Sequence, residues 1–393
     1  MILNTKQEEG LKIAVERYKA NKAYTCISGF AGTGKSTLIK FIIAALNIPE
    51  DKVAYVAYTG KAAQVLKQKG CPNPTTAHKL LYKAKPMPNG TYKFEAKTSL
   101  DKNYEVIIVD EVSMLPKEMW LQLLKHRVHV IACGDPFQLP PIYKDSDNHV
   151  LDNPHIFLDE IMRQAEDSEI IRLSMWIREG KSLKDFVASN QQVMIVTPDQ
   201  VVTGMYDWAD QIICATNEKR NFINNFMREA KGFGPEPQVG DKIVSLHNQW
   251  QFLSNKEAPL TNGTIGTIHT TNKYEVSLPF WLSNKKVPVI YTTMMDDNGD
   301  KFDYIPIDYT ALTTGKKFLS SQQEFQMRKN EKLPDPPFEF AYAYGITCHR
   351  AQGSEWNKVL VYEEKFPFER EEHARWLYTA ITRAAEKLVV VRN

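Results

Sequence analysis

The sequence contains little cysteine, and no two cysteines are closely spaced. Its five cysteines lie at positions 26, 71, 133, 214 and 348, and no pair has the CxxC spacing of a zinc or redox site. This distribution argues against a disulfide framework and against a structural zinc site. It is typical of a protein that stays in a reducing cytosol, so we expect a cytoplasmic chain.

A signal peptide and a long apolar run are also absent. The first ten residues, MILNTKQEEG, carry one lysine and two glutamates, which do not suit a secretory leader. The apolar stretch 39–48 is interrupted by Lys40 and Asn47 and is too short to span a bilayer. These absences predict a soluble protein.

An excess of charge of one sign is missing as well. The 49 Lys and Arg residues nearly balance the 47 Asp and Glu residues, which leaves a formal net charge of +2. Such a chain has no global field for nucleic acid, so any binding of nucleic acid must use local basic patches and stacking. A length of 393 residues with 43% hydrophobic content leaves room for two or three globular domains.

What the sequence does contain is a repeated alternation of apolar strands and amphipathic helices. In the first part we predict a helix over 3–20, strands over 24–28, 53–57, 104–109 and 128–132, and helices between them. After residue 157 the alternation returns, with helices over 163–180 and 371–383 and strands over 211–215, 359–363 and 387–391. Strands that alternate with helices predict an α/β fold with parallel sheets.

Two segments interrupt this alternation. Residues 83–102 contain Asn89-Gly90, a strong hairpin signal, and predict a β-hairpin that projects from the first domain. From about residue 264 the chain alternates polar and apolar residues between turns, which predicts a small antiparallel β-barrel ending near 338. The expected organisation is a first domain over 1–155, a second over 156–263 and 339–393, and the barrel over 264–338.

The most specific single motif is the segment from Gly29 to Ser36, which matches G-x-x-x-x-G-K-[ST] between a strand and a helix. Its glycines let backbone N–H groups turn toward phosphate oxygens, and the helix N-terminus adds positive potential. We expect Lys35 to reach the β- and γ-phosphates of ATP and Ser36 to ligate Mg²⁺. The predicted nucleotide-binding positions here are Gly29, Ala31, Gly32, Thr33, Gly34, Lys35, Ser36 and Thr37.

Two later strands also end in polar residues. Asp110 and Glu111 follow a β-branched run, where one carboxylate can hold Mg²⁺ and its neighbour can orient or deprotonate the attacking water. Gln138, in GDPFQLPP, can sense a γ-phosphate because its amide both accepts and donates hydrogen bonds. Taken alone, GDPFQLPP would equally suit a proline-rich turn.

The order of the motifs gives a specific resemblance. From Gln7 to Arg383 the chain carries QEEG, GFAGTGKST, TGKAA, TTAHKLL, VDEVSML, GDPFQLPP, MRQ, TCHRAQGSE and LYTAITRA. This series resembles a superfamily 1 DNA helicase of the RecD/Dda-like branch. The resemblance implies two RecA-like P-loop motor domains with ATP between them. It also implies single-stranded DNA across their tops and 5′→3′ translocation, a polarity that rests on the family alone.

The resemblance implies roles for residues outside the phosphate loop. Gln7 matches the glutamine that reads the adenine edge, and a surface polar residue is the alternative. Arg163 and Arg383 match two arginines that the second domain offers to the γ-phosphate, where a guanidinium neutralises transition-state charge. For each arginine, a surface salt bridge is the alternative.

A second group of matches concerns DNA. Gly353 and Glu355 match the motif that links nucleotide to DNA, and Arg350 stands where the family more often has lysine, which changes the phosphate geometry. Hydroxyl, imidazole and amide side chains suit contacts with phosphate and sugar that do not read sequence. The positions that match the DNA-facing side are Thr59, Lys61, Thr76, His78, Asn248, Thr347 and His349. The histidines would equally suit helix packing.

The predicted hairpin stands where the family carries its strand-separating pin. Tyr92 and Phe94 are two residues apart, so they share one face of a strand. An exposed aromatic ring there can stack on the base pair at a DNA fork. The alternative is a hairpin that packs on its own domain. The inserted barrel resembles the family's SH3-like module.

These features predict a DNA helicase that depends on ATP and Mg²⁺ and works as a monomer. Its expected partners are single-stranded DNA, forked duplex DNA and replication or recombination proteins. A compact motor of this kind suits a phage or a minimal bacterial system. Two alternatives stay open: a translocase or protein-displacing ATPase without strong unwinding, and a nucleotide-gated binding module. RNA is a lesser alternative substrate, because backbone contacts do not exclude a 2′-hydroxyl.

Overall fold

The structure is a computed structural model that describes residues 3–86, 92–140, 148–162, 167–254, 259–297, 299–330, 332–365 and 369–392. Two compact units divide the chain. One contains Met1–Tyr82, Ala96–Asn217 and Ile346–Asn393, and the other contains Lys83–Glu95 and Glu218–Gly345. Residues 83–95, which the sequence attaches to the first domain, therefore group with the second unit.

Helices and strands alternate through most of the chain. The α-helices of the described residues are α1 (Thr5–Lys19), α2 (Lys35–Leu46), α3 (Gly60–Gln68), α4 (Ala77–Leu81), α5 (Lys117–Lys125), α6 (Glu169–Arg178), α7 (Thr203–Trp208), α8 (Asn217–Ala230), α9 (Tyr309–Thr314), α10 (Ser321–Lys329), α11 (Cys348–Ala351) and α12 (Arg370–Ile381). The strands are β1 (Tyr24–Gly29), β2 (Val53–Ala57), β3 (Thr75–Thr76), β4 (Tyr82–Pro86), β5 (Tyr92–Ala96), β6 (Val106–Val109), β7 (His129–Gly134), β8 (Ile156–Leu158), β9 (Val193–Val196), β10 (Gln211–Cys214), β11 (Lys242–Ser245), β12 (Gln249–Leu253), β13 (Pro259–Leu260), β14 (Ile265–Val276), β15 (Val287–Asp296), β16 (Lys301–Asp308), β17 (Phe340–Tyr342), β18 (Gly345–Thr347), β19 (Trp356–Tyr362) and β20 (Ala384–Val391).

The first unit contains a six-stranded sheet in the order β3-β2-β6-β7-β1-β8. Its strands pair in parallel. Alternate residues of β6 enter different hydrophobic cores: Ile107 and Val109 join one cluster, and Val106 and Ile108 join the other. Burial on both faces explains why this strand is an unbroken β-branched run. The sheet includes β8, so it extends past residue 155, where the sequence predicts the end of the first domain.

The same unit contains a second sheet, in the order β18-β10-β19-β20-β9. Strands β10, β19, β20 and β9 pair in parallel. Helix α6 begins at Glu169, where the Ser168 side chain caps it by accepting from the amide of Ile171. The helix predicted over 163–180 is therefore shorter at its start, and Arg163 lies outside the described residues.

The second unit contains an antiparallel five-stranded sheet in the order β16-β15-β14-β11-β17. It begins with β11 at Lys242 and ends with β17 at Tyr342, so it is longer than the predicted range 264–338. Strand β11 escaped detection because it lies between β14 and β17, and its residues Ile243, Val244 and Ser245 are all buried, without the alternation of a half-exposed strand.

The predicted hairpin is present as the two-stranded pair β4-β5. The Asn89-Gly90 turn signal lies between these strands and outside the described residues. Within the part of the chain that the structure describes, no helix has both the length and the apolar character needed to cross a membrane.

Candidate nucleotide-binding site

Three strand ends of the first sheet meet at one edge. Strand β7 lies between β6 and β1, and all three run in parallel. Their carboxyl ends therefore bring Gly29, the Asp110-Glu111 pair and Gly134 together, because parallel strands place these ends on the same side. This edge is where ligands bind in open α/β sheets.

The phosphate loop joins β1 to α2. Gly34 has a φ of +78° directly before the first residue of α2, a left-handed conformation that favours glycine. At Gly29 a Cβ would lie 2.8 Å from the carbonyl oxygen of Leu158, so a side chain is excluded by the neighbouring strand. Lys35 Nζ donates to the carbonyl oxygens of Gly29 at 2.7 Å and Phe30 at 3.0 Å. The lysine thus lies along the loop whose amides are expected to hold phosphate.

Gln7 supports the loop from helix α1. Its side chain is fully buried, and Nε2 donates to the carbonyl of Thr33 at 3.1 Å. Its Oε1 accepts from the amide of Asn4 at 3.1 Å, which completes a capping box at the start of α1. A Cβ at Gly34 would lie 2.5 Å from Gln7 Nε2. The alternative of a surface polar residue is therefore wrong, while recognition of adenine stays a prediction.

Asp110 and Glu111 follow β6 in a strained backbone. Glu111 has a φ of +50°, a left-handed conformation that is uncommon for residues other than glycine and that concentrates at functional sites. Asp110 Oδ1 accepts from the Glu111 amide at 3.1 Å and from Cys133 Sγ at 3.2 Å. Gln138 Nε2 donates to Glu111 Oε1 at 3.4 Å, so the predicted base and the predicted sensor lie side by side.

The surroundings of Glu111 raise the pKa of its carboxyl group. Burial raises its pKa above the ordinary value, and the neighbouring Asp110 charge adds to this rise. Arg383 and Lys35 act in the opposite direction and favour the ionised form. A carboxyl group with a raised pKa accepts a proton more readily, which suits a general base that activates water.

The oxygen donors near the loop fit a magnesium ion. Ser36 offers a hydroxyl in the first turn of α2, and Asp110 offers a carboxylate. Among the described residues no group of three or more His, Cys, Asp or Glu side chains could hold a metal by itself. Mg²⁺ is commonly bound through one or two protein oxygens together with substrate phosphates, which is the donor type that Ser36 and Asp110 offer.

Arg383 lies in the turn after α12 and is nearly buried, with 6% of its surface exposed. Its guanidinium donates to the carbonyls of Thr379 at 3.1 Å and Ser354 at 3.3 Å, and to Thr382 Oγ1 at 3.3 Å. It makes no ion pair with a carboxylate of the described residues. The alternative of a surface salt bridge is therefore wrong for this arginine, and its positive charge acts to lower the pKa of Glu111.

The segment from Gly353 to Glu355 contacts helix α3. Gly353 has a φ of +71°, and a Cβ there would lie 3.0 Å from Ala62 Cβ and 3.5 Å from Thr59 Oγ1. Glu355 forms an ion pair of 2.7 Å with Lys69 at the end of α3. These two predicted nucleotide-binding residues thus lie against α3, while the carbonyl of the intervening Ser354 accepts from Arg383.

The predicted DNA-facing threonines have local structural partners. Thr59 Oγ1 caps α3 by accepting from the amide of Ala62 at 3.1 Å, and Thr76 Oγ1 caps α4 by accepting from the amide of Lys79 at 3.3 Å. Thr347 precedes α11 and is half-buried, without a side-chain cap. These roles leave the proposed DNA contacts of the threonines as predictions.

The remaining residues of the first unit that are predicted to face DNA include an amine and two imidazoles. Lys61 Nζ lies 5.9 Å from the centre of the Trp356 ring. His78 lies between the rings of Tyr58 and Tyr82, with centre separations of 6.1 and 5.9 Å. Burial lowers the pKa of His78 and of His349, so both rings are neutral at pH 7. Neutral imidazoles can form hydrogen bonds with DNA but contribute no charge.

The predicted contacts of the second unit are exposed. Asn248 is exposed, and its Oδ1 accepts from the amide of Asn262 at 2.9 Å. Phe94 on β5 has 41% of its surface exposed. Tyr92 begins the same strand, but its side chain lies outside the described residues.

Two residues at the phosphate loop were missed by the sequence reasoning. Tyr378 Oη accepts from the Ala31 amide at 2.8 Å and donates to Asp135 at 2.6 Å. The guanidinium carbon of Arg178, at the end of α6, lies 3.6 Å from the centre of the Phe30 ring. Tyr378 belongs to the LYTAITRA motif. A single sequence cannot show whether a buried tyrosine forms hydrogen bonds with residues of the site or only packs in the core.

Comparisons with known proteins agree with this geometry. Residues 3–199 match the family model described as AAA domain, and residues 342–391 match the model described as UvrD-like helicase C-terminal domain. The ATP-dependent RecD2 DNA helicase of Deinococcus radiodurans is 25% identical over 390 residues, which cover 92% of this chain and 46% of that protein. The ATP-dependent DNA helicase dda of Enterobacteria phage T4 is 28% identical over 251 residues, which cover 57% of this chain and 56% of that protein. The chain thus spans about half the length of these relatives.

A solved structure shows the same fold. The Pif1 helicase from Bacteroides, in complex with ADP-AlF3 and ssDNA, superimposes with a TM-score of 0.53 at 19% identity. The match covers 99% of this chain and 92% of that one. The α/β architecture with parallel sheets is therefore confirmed.

Proposed function

Because this chain belongs to the AAA-domain family and to the superfamily 1 helicases of the RecD/Pif1/Dda branch, we propose that it is an ATP-dependent DNA helicase. It moves 5′→3′ along single-stranded DNA and unwinds duplex DNA ahead of it. Hydrolysis of ATP at the edge of the first sheet drives this movement. RecD2 and dda carry the name of ATP-dependent DNA helicase, which supports the assignment.

The observation that carries the proposal is the meeting of Lys35, Glu111 and Arg383. Lys35 and Arg383 both favour the ionised form of Glu111, and Arg383 is buried without a carboxylate partner among the described residues. The lysine belongs to the first sheet's loop, and the arginine follows a helix of the second sheet. A site assembled from two sheets links hydrolysis to their relative movement, which a motor requires.

Within this proposal the residues divide the chemistry of phosphoryl transfer. Lys35 neutralises the β- and γ-phosphates, and Gln138 orients the attacking water from its position beside Glu111. Glu111 accepts the proton of that water. Arg383, together with Arg163, neutralises the charge that develops on the γ-phosphate. Ser36 and Asp110 would hold Mg²⁺, which would supply a positive charge to the phosphates.

Contacts with DNA belong to the same proposal. Single-stranded DNA follows Thr59, Lys61, Thr76, His78, Asn248, Thr347 and His349, while Gln7 recognises adenine and Gly353 and Glu355 link the two ligands. The β4-β5 hairpin acts as the strand-separating pin, with Tyr92 and Phe94 at the fork. The antiparallel sheet is the SH3-like module, and the two parallel sheets belong to two RecA-like motor domains. The Bacteroides Pif1 complex with ssDNA supports a single-stranded substrate.

The experiment that tests this function compares duplexes with a 5′ tail and with a 3′ tail. The purified chain should unwind the 5′-tailed duplex in the presence of ATP and Mg²⁺, and single-stranded DNA should stimulate its ATPase. Lys35→Ala should abolish both activities, because the phosphate charge is no longer neutralised.

Each other outcome has a defined meaning. Unwinding of the 3′-tailed duplex alone would reverse the proposed polarity. DNA-stimulated ATPase without unwinding of either duplex would favour the translocase or protein-displacing ATPase. Absence of ATPase from the wild-type chain would contradict a motor and favour a nucleotide-gated binding module.

A further inference from the structure

Tyr378 links two loops of the first sheet through one oxygen atom. It lies on α12, is 1% exposed, and accepts a hydrogen bond from the Ala31 amide of the phosphate loop at 2.8 Å. Its hydroxyl donates to Asp135 Oδ2 at 2.6 Å. Asp135 is itself 2% exposed and follows β7 in the GDPFQLPP segment. A hydroxyl that accepts one bond and donates another is fully used by these two loops.

The same face of α12 holds the rest of the GDPFQLPP segment. Thr379 Oγ1 accepts from the Leu139 amide at 2.9 Å, and Arg375 Nη1 donates to the Pro136 carbonyl at 3.1 Å. The Phe137 ring meets the Tyr378 ring edge-on, with centres 5.2 Å apart. Residues 375, 378 and 379 are three and four apart, so they share one side of the helix.

This contact occurs beside the reacting groups. Gln138, which bonds Glu111, lies between Phe137 and Leu139, two residues that α12 contacts directly. Arg383 follows the same helix and bonds back to the carbonyl of Thr379. The orientation of α12 therefore affects the positions of three groups together: the Ala31 amide, Gln138 and Arg383.

We propose that Tyr378 is a positioning residue for ATP hydrolysis, whose hydroxyl fixes the phosphate loop and the GDPFQLPP segment in register with Arg383. It acts through its hydrogen bonds with Ala31 and Asp135. A bond to a carboxylate is stronger than a neutral one, so the Asp135 contact holds this register more firmly than packing alone. The inference rests on the proposed ATPase function and specifies how α12 serves it.

The test replaces Tyr378 by phenylalanine, which keeps the ring and removes the oxygen. The DNA-stimulated kcat of Tyr378→Phe should fall about tenfold, the loss expected for one hydrogen bond to a charged group. The KM for ATP should stay within about twofold, because Lys35 and the loop glycines keep their contacts. Tyr362→Phe is the matched control: Tyr362 is also buried and bonds the hydroxyl of Tyr206, away from the loop. That variant should keep the wild-type kcat.

A double variant separates positioning from general destabilisation. Asp135→Asn alone should lower kcat because it removes the charge that strengthens the bond from Tyr378. The combination of Tyr378→Phe with Asp135→Asn should be no slower than the worse single variant, because both changes act on the same hydrogen bond. If the two losses multiply, or if Tyr378→Phe keeps the wild-type kcat, the positioning role is wrong. Equal losses of kcat in Tyr378→Phe and Tyr362→Phe would also overturn it. A wild-type chain without ATPase would instead contradict the proposed function itself.

Discussion

At the edge of the first sheet, neighbouring groups shift the pKa of Glu111 in opposite directions. As the proposed general base, Glu111 has to accept a proton, and burial and Asp110 raise its pKa. Arg383 and Lys35 act in the opposite direction and favour the ionised carboxylate. Glu111 also has a left-handed backbone conformation, which residues other than glycine rarely adopt at the end of a strand. This conformation fixes the position of its carboxylate.

Arg383 is the residue whose removal should separate binding from hydrolysis. Arg383→Ala should lower kcat by about 10³-fold or more, since an arginine finger acts on charge that develops in the transition state. Binding of ATP should change far less, because Lys35 and the loop amides are unaffected. ATPase rates and nucleotide titrations of the same preparation measure both quantities. Arg328→Ala, at a half-buried arginine that pairs with Glu324 on α10, is the control and should leave both unchanged. Equal losses of binding and hydrolysis in Arg383→Ala would rule out a finger.

The residues of the site were accessible from the sequence to different degrees. The phosphate loop was predictable because its glycines and lysine follow a spacing that phosphate geometry imposes. Arg383 and Gly353 were found only through a family resemblance, since their partners lie far away in the chain. The role of Tyr378 was not predictable, because hydrogen bonds to Ala31 and Asp135 depend on tertiary contacts that no local pattern records.

At the scale of elements, the turn around Gly353 contacts helix α3, and the neighbouring Ser354 carbonyl accepts a hydrogen bond from Arg383. Gly353→Ala should reduce the stimulation of ATPase by DNA, because a Cβ would press on Ala62 at 3.0 Å in a backbone that already disfavours side chains. The intrinsic ATPase should change less, since Lys35 and Glu111 are not displaced. Rates with and without single-stranded DNA measure the ratio.

Gly315 provides a control for the backbone strain alone. It has a φ of +73°, close to that of Gly353, but a Cβ at this position would meet no atom within 4 Å. Gly315→Ala should therefore carry the same conformational penalty, about 1–2 kcal/mol, without the clash. A similar loss of DNA stimulation in both variants would attribute the effect to stability and not to the contact with α3.

The β4-β5 hairpin is the element whose proposed role is mechanical. Phe94→Ala should lower the rate of unwinding of a forked duplex severalfold, since base–aromatic stacking contributes about 1–3 kcal/mol. ATPase on single-stranded DNA should persist. Phe325→Ala is a suitable control, because Phe325 is an exposed aromatic residue on α10 with 49% of its surface accessible. Unchanged unwinding by Phe94→Ala would remove this residue from the proposed pin.

The predicted elements matched the structure best where burial follows a simple period. The long parallel strands and the amphipathic helices have apolar positions that reveal their type. Strand β11 was not recognised in the sequence, because it is short and its last three residues are all buried. It lies between β14 and β17 in the sheet. The predicted start of helix α6 at residue 163 was too early, since the N-cap is Ser168 and the helix begins at Glu169.

At the scale of the whole molecule, histidines should make stability depend on pH. Burial lowers the pKa of five described histidines, namely His78, His126, His129, His155 and His349. The folded state resists protonation of these rings, while the unfolded chain protonates near the ordinary value of 6.5. Their contribution to stability is therefore present above pH 6.5 and is lost as the pH falls below it.

Thermal unfolding at pH 7.5 and pH 5.5 measures this effect. The unfolding temperature should be lower at pH 5.5, by about 2–4 °C for each kcal/mol lost in domains of this size. His129→Gln should reduce the difference, because His129 is buried and bonds the Lys22 carbonyl and Thr25. His269→Gln, at an exposed position, should leave it unchanged. A wild-type unfolding temperature that does not fall on acidification would contradict the prediction.

The arrangement of the second parallel sheet has a consequence for biosynthesis. The first sheet is complete once β8 ends at Leu158, but β10 must wait for β18 and β19, and β9 must wait for β20, all of which begin only at Gly345 or later. Chains fold from the N-terminus as they leave the ribosome. A nascent chain should therefore expose a finished phosphate loop long before Arg383 and Tyr378 are synthesised. On the proposed function, such a chain should bind nucleotide without hydrolysing it, so ATP should act as an early ligand that stabilises the unfinished protein.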